Sequence, residues 1–422
     1  MKFTLPFISL LVLSLPTAAQ DAPLTIERAV QLAVERNERA AIADTTVEAA
    51  EARVGRARTA FLPRVDISGS YRNDFETDST DRTLQTAALV TQPIFDARVF
   101  PLYRMARFER DATRFNAADA RRLLAFDAAA TFLTTLSLEQ VLLAAENRRV
   151  FAQTNLDDVR ARFEAGLVSS NDVTRAELEL ATAVRGVAQA SGDVQSSRID
   201  LETLVKAEVE ALAQPVALLD AADEAPVASE AQITEAQQRR PDIAAQRASI
   251  EALRAFAQEP AARWLPSVLF QAQTRNINDG AIFDRANAGF FGFSFAWPIF
   301  DAGVRSAERK ERNAIVRGAE LQLEFEQRGV EREFRGATVQ LTTEQAALRE
   351  AIAALRAARK NAEETNALYR EGLASALELA DANRQLFDAE VAEVTARFRM
   401  AIAYLALREA SGLGPVSDNG QG

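Results

Sequence analysis

The placement of helix-breaking residues constrains this chain more than any other feature. No Pro occurs from Leu102 to Gln214 or from Ile299 to Gly414, and no Gly lies between Gly69 and Gly166. Proline removes a backbone donor and clashes with the preceding turn, and glycine costs backbone entropy, so their absence permits very long helices. At about 1.5 Å per residue, an unbroken helix from Leu102 to Ala165 would run roughly 95 Å, several times an ordinary domain. Length alone, 422 residues, would suggest two or three globular domains. The breakers argue instead for an elongated protein.

Whole classes of chemistry are missing. The chain contains no Cys and no His. Disulfides, thiolate nucleophiles, Fe–S clusters and Cys-ligated zinc are therefore excluded, as are the usual general base and the imidazole metal ligand. With 49 basic against 60 acidic side chains, the net charge is −11, which disfavours a nucleic-acid partner. The expectation is a protein that is not an enzyme, holds no cofactor and binds no nucleic acid. A carboxylate-based hydrolase would lack a compact domain to hold its cleft.

Residues 1–19 read as a secretory signal peptide: Lys2 supplies the positive start, Leu5–Leu15 the apolar stretch, and Thr17-Ala18-Ala19 the cleavage site. Removal of Lys2 takes the mature charge to −12, and no Cys follows to carry a lipid anchor. No second stretch of 18 or more apolar residues follows, so no transmembrane helix is expected.

The remainder contains two copies of one plan. Phe61-Leu62-Pro63 matches Trp264-Leu265-Pro266 at an offset of 203. Pro93-Ile94-Phe95-Asp96-Ala97 matches Pro298-Ile299-Phe300-Asp301-Ala302 at 205, and Phe163–Leu167 matches Tyr369–Leu373 at 206. Each half reads as helix, strand, loop, strand, long helix, tight turn, helix. The boundaries are 20–60 for an equatorial segment and first helix, 61–96 for the first strand hairpin, and 97–206 for a long helix, a turn near 166–172 and a returning helix. There follow 207–263 (equatorial linker and helix), 264–301 (second strand hairpin), 302–412 (long helix, turn near 372–378 and returning helix) and 413–422, a flexible tail.

After each turn the apolar positions keep a 3-4-3-4 spacing. Val173, Ala176, Leu180, Ala183, Val187, Ala190, Val194, Ser197 and Leu201 have counterparts running from Leu379 to Leu407, with Glu393 in place of Val187. That is the periodicity of knobs-into-holes packing. The strand segments instead alternate with period two, most clearly Phe291, Phe293, Phe295 and Trp297 against Gly292, Ser294 and Ala296. Leu84–Ile94 alternates poorly, and polar segments at Asp74–Thr83 and Ile277–Arg285 suit hairpin loops. Strands of about 10 to 13 residues suffice to cross a bilayer when tilted. Trp264 and Trp297, the chain's two tryptophans, sit at the helix-proximal ends, as interfacial aromatics do. A soluble sheet with a buried aromatic face fits the alternation as well. If the strands do span a membrane, four per chain cannot close a barrel, so copies must combine.

Taken in order, these motifs resemble the TolC family of outer-membrane efflux and secretion channels, over nearly the whole mature chain. Leu24-Thr25-Ile26-Glu27-Arg28-Ala29 running to Asn37 is similar to the family's opening segment, with Glu38 where a Pro is usual. The two Pro-Ile-Phe-Asp-Ala junctions follow, then Arg162–Val173 and Tyr369–Leu373. The resemblance implies a mainly α fold with a small β part, in which a long coiled-coil helical barrel continues a transmembrane β-barrel of four strands per chain and twelve per homotrimer. It implies location in the outer membrane of a Gram-negative bacterium, in contact with its lipid. It further implies a periplasmic adaptor (membrane fusion) protein and an inner-membrane RND, MFS or ABC transporter as partners. Gly166 and Gly372 then turn the chain at the periplasmic tip, Glu378 and Asp381 form acidic rings at the pore constriction, and Asp172 and Tyr369 join tip hydrogen bonds that hold the closed state. The family's basic partner there is Ala374 in this chain, a role for which Arg370 or Arg175 could substitute. The alternative function is a soluble periplasmic coiled-coil scaffold or adaptor, which leaves the amphipathic strands without a purpose.

Overall fold

The computed structural model describes residues 23–75, 80–226, 231–278 and 285–416; the signal-peptide segment lies outside them. Two helices, α1 (Ile26–Arg36) and α2 (Glu38–Thr59), precede strands β1 (Arg64–Phe75) and β2 (Thr80–Phe95). A helix of 66 residues, α3 (Val99–Glu164), returns through α4 (Ser170–Val205). Four shorter helices follow: α5 (Val216–Glu224), α6 (Ala231–Arg239), α7 (Pro241–Ala257) and α8 (Glu259–Ala262). The second copy comprises β3 (Ser267–Asn278), β4 (Arg285–Ala296), α9 (Val304–Arg370, 67 residues) and α10 (Ala376–Ala410). At 1.5 Å per residue, α3 and α9 each extend about 100 Å.

Each seam residue of α4 and α10 is buried or half-buried, with α3 packed along α4 and α9 along α10. Even Glu393 is buried, its carboxylate paired with Arg397 one helical turn on. The main core lies mid-way along the helices. Ile26 and Leu32 of α1 meet Phe126, Phe132 and Leu136 of α3, Leu201 and Val205 of α4, and Phe398 and Leu405 of α10. By length and composition α3 has an 18-residue window apolar enough to cross a membrane, with mean hydropathy 1.4. This differs from the expectation that no such stretch would follow, and the reason is packing: α3 is the central core helix, touched by α1, α2, α4, α7 and α10. At the C-terminal end Pro415 is buried, Val416 packs on the main core and Arg408 Nε donates to the Gly414 carbonyl (2.7 Å), so the tail expected at 413–422 begins as ordered chain.

The four strands form one antiparallel sheet in sequence order, β1-β2-β3-β4. Ladder pairs run out to Phe75↔Thr80 and Asn278↔Arg285, so the strands extend into segments expected to be loops. Register settles the faces, since directly opposed residues share one. Val65↔Val90↔Ala272↔Phe291 and Ile67↔Ala88 lie on one face with Phe293 and Phe295; Asp66↔Leu89↔Gln273 and Ser68↔Ala87↔Arg275 lie on the other. The weak alternation of β2 is thereby explained: Ala87 and Leu89 stand on the polar face among Ser68, Asp66 and Gln273. The apolar face is bare, with Ile67 83% and Phe291 81% exposed. This assignment predicts that Phe293→Arg blocks assembly into membranes, a charge on a lipid-facing strand costing about 2–4 kcal/mol at mid-bilayer. Ser294→Arg, on the opposite face, is tolerated. The amount of heat-resistant oligomer in the membrane fraction checks both.

Candidate functional site

The far end of the two helical hairpins is built twice by the same local chemistry. Gly166 (φ 71°) and Gly372 (φ 77°) take the left-handed conformation that a side chain disfavours. Leu167 N donates to the Arg162 carbonyl (2.9 Å) and Gly166 N to Phe163 (2.9 Å); Leu373 N and Gly372 N repeat this with Leu368 (2.8 Å) and Tyr369 (3.1 Å). These paired bonds close both helix ends in the Schellman pattern. The returning helices start with matched caps. Ser169 N and Oγ donate to Asp172 Oδ2 (3.0 and 2.8 Å), and Ser375 N and Oγ donate to Glu378 Oε2 (2.7 and 2.9 Å). The Ser-x-x-Asp and Ser-x-x-Glu spacing is the sequence signature of a capping box, so this role was readable. Asp172 and Glu378 are thus equivalent positions of the repeat, 206 apart.

Those hydrogen bonds hold both carboxyls below the usual carboxylate range. Asp381, one turn along α10, is half-buried and engaged by Arg384 Nη2 (2.6 Å) and Gln385 Nε2 (2.6 Å). Glu378 is exposed, with Oε1 free of any partner among the described residues. Tyr369 is buried in a cluster with Leu156, Val159, Ala176 and Leu379, which joins the two hairpins at the tip. Its hydroxyl has no hydrogen-bond partner among the described residues. The cation beside Tyr369 is Arg162, while Arg175 is near enough to Asp172 to help lower its carboxyl pKa. The Arg162 guanidinium lies 4.6 Å from the ring centroid and donates to the Tyr369 carbonyl (3.3 Å). Burial pushes the Tyr369 hydroxyl pKa up.

At the opposite end, the repeated Pro-Ile-Phe-Asp-Ala junctions start the long helices. Asp96 Oδ1 accepts from Arg98 N (3.0 Å); Asp301 accepts from Gly303 N (3.1 Å) and Arg305 N (2.9 Å). Trp297 Nε1 donates to the Trp264 carbonyl (3.0 Å), and Arg305 stacks on the Trp264 ring at 3.7 Å. The two tryptophans stay 53–54% exposed at one level, beside the bare apolar face of the sheet. Among the described residues no cluster of His, Cys, Asp and Glu could hold a metal ion.

Residues 29–205 and 232–413 match the family described as "Outer membrane efflux protein". The chain belongs to that family. Outer membrane protein TolC of Escherichia coli K12 is 23% identical over 390 residues, covering 86% of this chain and 77% of the relative. Outer membrane efflux protein BepC of Brucella suis is 23% identical over 365 residues, covering 84% and 78%. The fold is that of the Campylobacter jejuni CmeC outer membrane channel (TM-score 0.78, 16% identity, covering 93% of this chain and 87% of that one). The open state of the Neisseria gonorrhoeae MtrE channel gives 0.79 at 19% identity, covering 94% and 91%. This outer membrane efflux protein is a Gram-negative outer-membrane channel with a large periplasmic portion, and it is not an enzyme. The soluble-scaffold alternative gives way to that membership.

The tip geometry makes a pH prediction. A depressed carboxyl stabilises the fold above its unfolded pKa and loses that contribution as pH falls through the folded value. Asp172→Asn therefore speeds hydrogen exchange at the start of α4 relative to the parent at pH 7. The two rates converge on acidification below the ordinary Asp range, measured side by side at each pH.

Proposed function

We propose that this outer membrane efflux protein is the passive exit duct of a tripartite export machine. Three copies pair their sheet edges into a twelve-stranded barrel, and their helical hairpins continue it as a periplasmic tunnel. The observation that carries the reading is the open sheet: an apolar face fit for lipid, with β1 and β4 each presenting one unpaired edge. Energy comes from an inner-membrane transporter of the RND, MFS or ABC type, coupled through a periplasmic adaptor. Mixed trimer and monomer bands on unboiled and boiled gels of outer-membrane extracts test the assembly; a monomer found only in the soluble periplasm would sink it.

The adaptor docks on the turns. Leu167 and Leu373, repeat equivalents, stand 75% and 76% exposed at the hairpin ends, a bareness that supports a docking role and repeats six times in a trimer. Leu167→Asp with Leu373→Asp is expected to lower export about tenfold, the effect of one lost anchor of about 1.4 kcal/mol, while the trimer still assembles. Resistance of the host to toxic compounds is the measure; full resistance with an assembled trimer would count against tip docking.

Glu378 and Asp381 line the constriction as two rings of three carboxylates, which favour cations and can bind divalent ions. Glu378→Gln with Asp381→Asn keeps the helix cap, since Gln also serves at that position, and removes the charge. The expected result in single-channel recordings is weaker cation selectivity and weaker divalent block. Unchanged selectivity would place these side chains away from the pore.

A further inference from the structure

The acidic chain carries a basic belt where its helices meet the sheet. Segments 53–64, 96–110, 254–263 and 301–312, the four helix ends beside the strands, hold 14 Arg and Lys against 6 Asp and Glu, in a protein of net charge −11. Four of those acids are spent inside the belt: Asp96 on Arg98, Asp301 on Arg305, Glu259 on Arg263 and Arg312, and Glu308 on Arg263. Among the described residues, Glu109 and Glu311 are the belt acids with no ion-pair partner. Arg56, Arg58, Arg104, Arg107, Arg309 and Lys310 are exposed, and none makes an ion pair among the described residues. The belt adjoins the border where Trp264 and Trp297 end the apolar face and Arg305 stacks on Trp264.

From this we infer that the free arginines and Lys310 form a binding surface for anionic phospholipid headgroups in the periplasm-facing leaflet of the outer membrane. Three arguments converge on a lipid rather than a protein or cargo. The belt is continuous with the lipid-type face of the sheet. It starts beside the strand ends: Arg58 is six residues from the start of β1, roughly 9 Å at about 1.5 Å per helical residue and comparable with a screening length near 8 Å. Arg107 and Lys310 mark its far side at roughly 20 Å. Its charge opposes that of the rest of the chain, which a generally solvated helix surface would not require. Headgroup phosphates accept from guanidinium in forked pairs, and each basic side chain near an anionic leaflet contributes about a fivefold preference. The belt would fix the height and tilt of the tunnel beneath the membrane.

The inference rests on the barrel reading, and the experiment separates the two. The full-length trimer is transferred into micelles holding equal phosphatidylglycerol and phosphatidylcholine, and retained lipids are counted by native mass spectrometry. Phosphatidylglycerol is expected to exceed phosphatidylcholine by about fivefold or more. The ratio should fall towards one in R56Q/R58Q/R309Q/K310Q and persist in R56K/R58K/R309K, which keeps the charge. Millimolar inorganic phosphate should not displace the lipid. Equal retention of both lipids, an unchanged ratio in the neutral variant, or displacement by free phosphate or by polyglutamate would each overturn the proposal. A trimer that conducts without lipid preference sinks the belt alone; a chain that forms no trimer sinks the barrel with it.

Discussion

A backbone N–H or C=O left without a partner in hydrocarbon costs several kcal/mol, and this sheet ends on two rows of such groups. One row lies along β1 and the other along β4, with the two internal hairpins joined between them through β2 and β3. Much of the architecture follows from where those edges can be satisfied. Water would satisfy them, but the face beside them is lined with Val65, Ile67, Phe291, Phe293 and Phe295, for which water is the wrong solvent. Further strands from other copies resolve both demands. The duplication of the chain then has a physical sense, because each repeat supplies one hairpin and one pair of long helices to the same wall.

The helices answer a different constraint, that of turning sharply and staying closed at both ends. Orphan carbonyls at the end of α3 and α9 are taken up by the amides around Gly166 and Gly372, and orphan amides at the start of α4 and α10 by Ser169 with Asp172 and Ser375 with Glu378. At the membrane end Asp96 and Asp301 serve the starts of α3 and α9 in the same way. Carboxylates therefore appear at helix starts at both ends of the molecule. At the tip Glu378 caps its helix through Oε2 alone, and Oε1 has no partner among the described residues. Asp381 is more committed, with both oxygens held by Arg384 and Gln385.

Much of this was legible in the chain itself. The turns at Gly166 and Gly372, the heptad seams and the strands were recognisable because each depends on spacing within a few residues. The paired serine caps were equally readable from their Ser-x-x-acid spacing. Arg162 was not. Its contact with Tyr369 joins residues 207 apart, and nothing near Arg162 in the sequence distinguishes it from Arg160, which pairs instead with Glu177. Within one protomer Asp172 turns back to its own helix start, while the Tyr369 ring is drawn into the apolar cluster between hairpins.

By itself, then, the sequence determined the long helices, their reversal points, the alternating strands and the duplication, since local backbone preference and side-chain periodicity act along the chain. Only the tertiary structure decided which face of β2 meets lipid, because a one-residue change of register would exchange the faces and the register comes from β1 and β3. It also decided that Arg305 lies on Trp264, that Trp297 reaches back to the Trp264 carbonyl, and that the basic ends of α2, α3, α8 and α9 come together beside the sheet, α2 against α3 and α8 against α3 and α9. Those outcomes depend on elements dozens to hundreds of residues apart being brought together, and packing alone fixes which of them become neighbours.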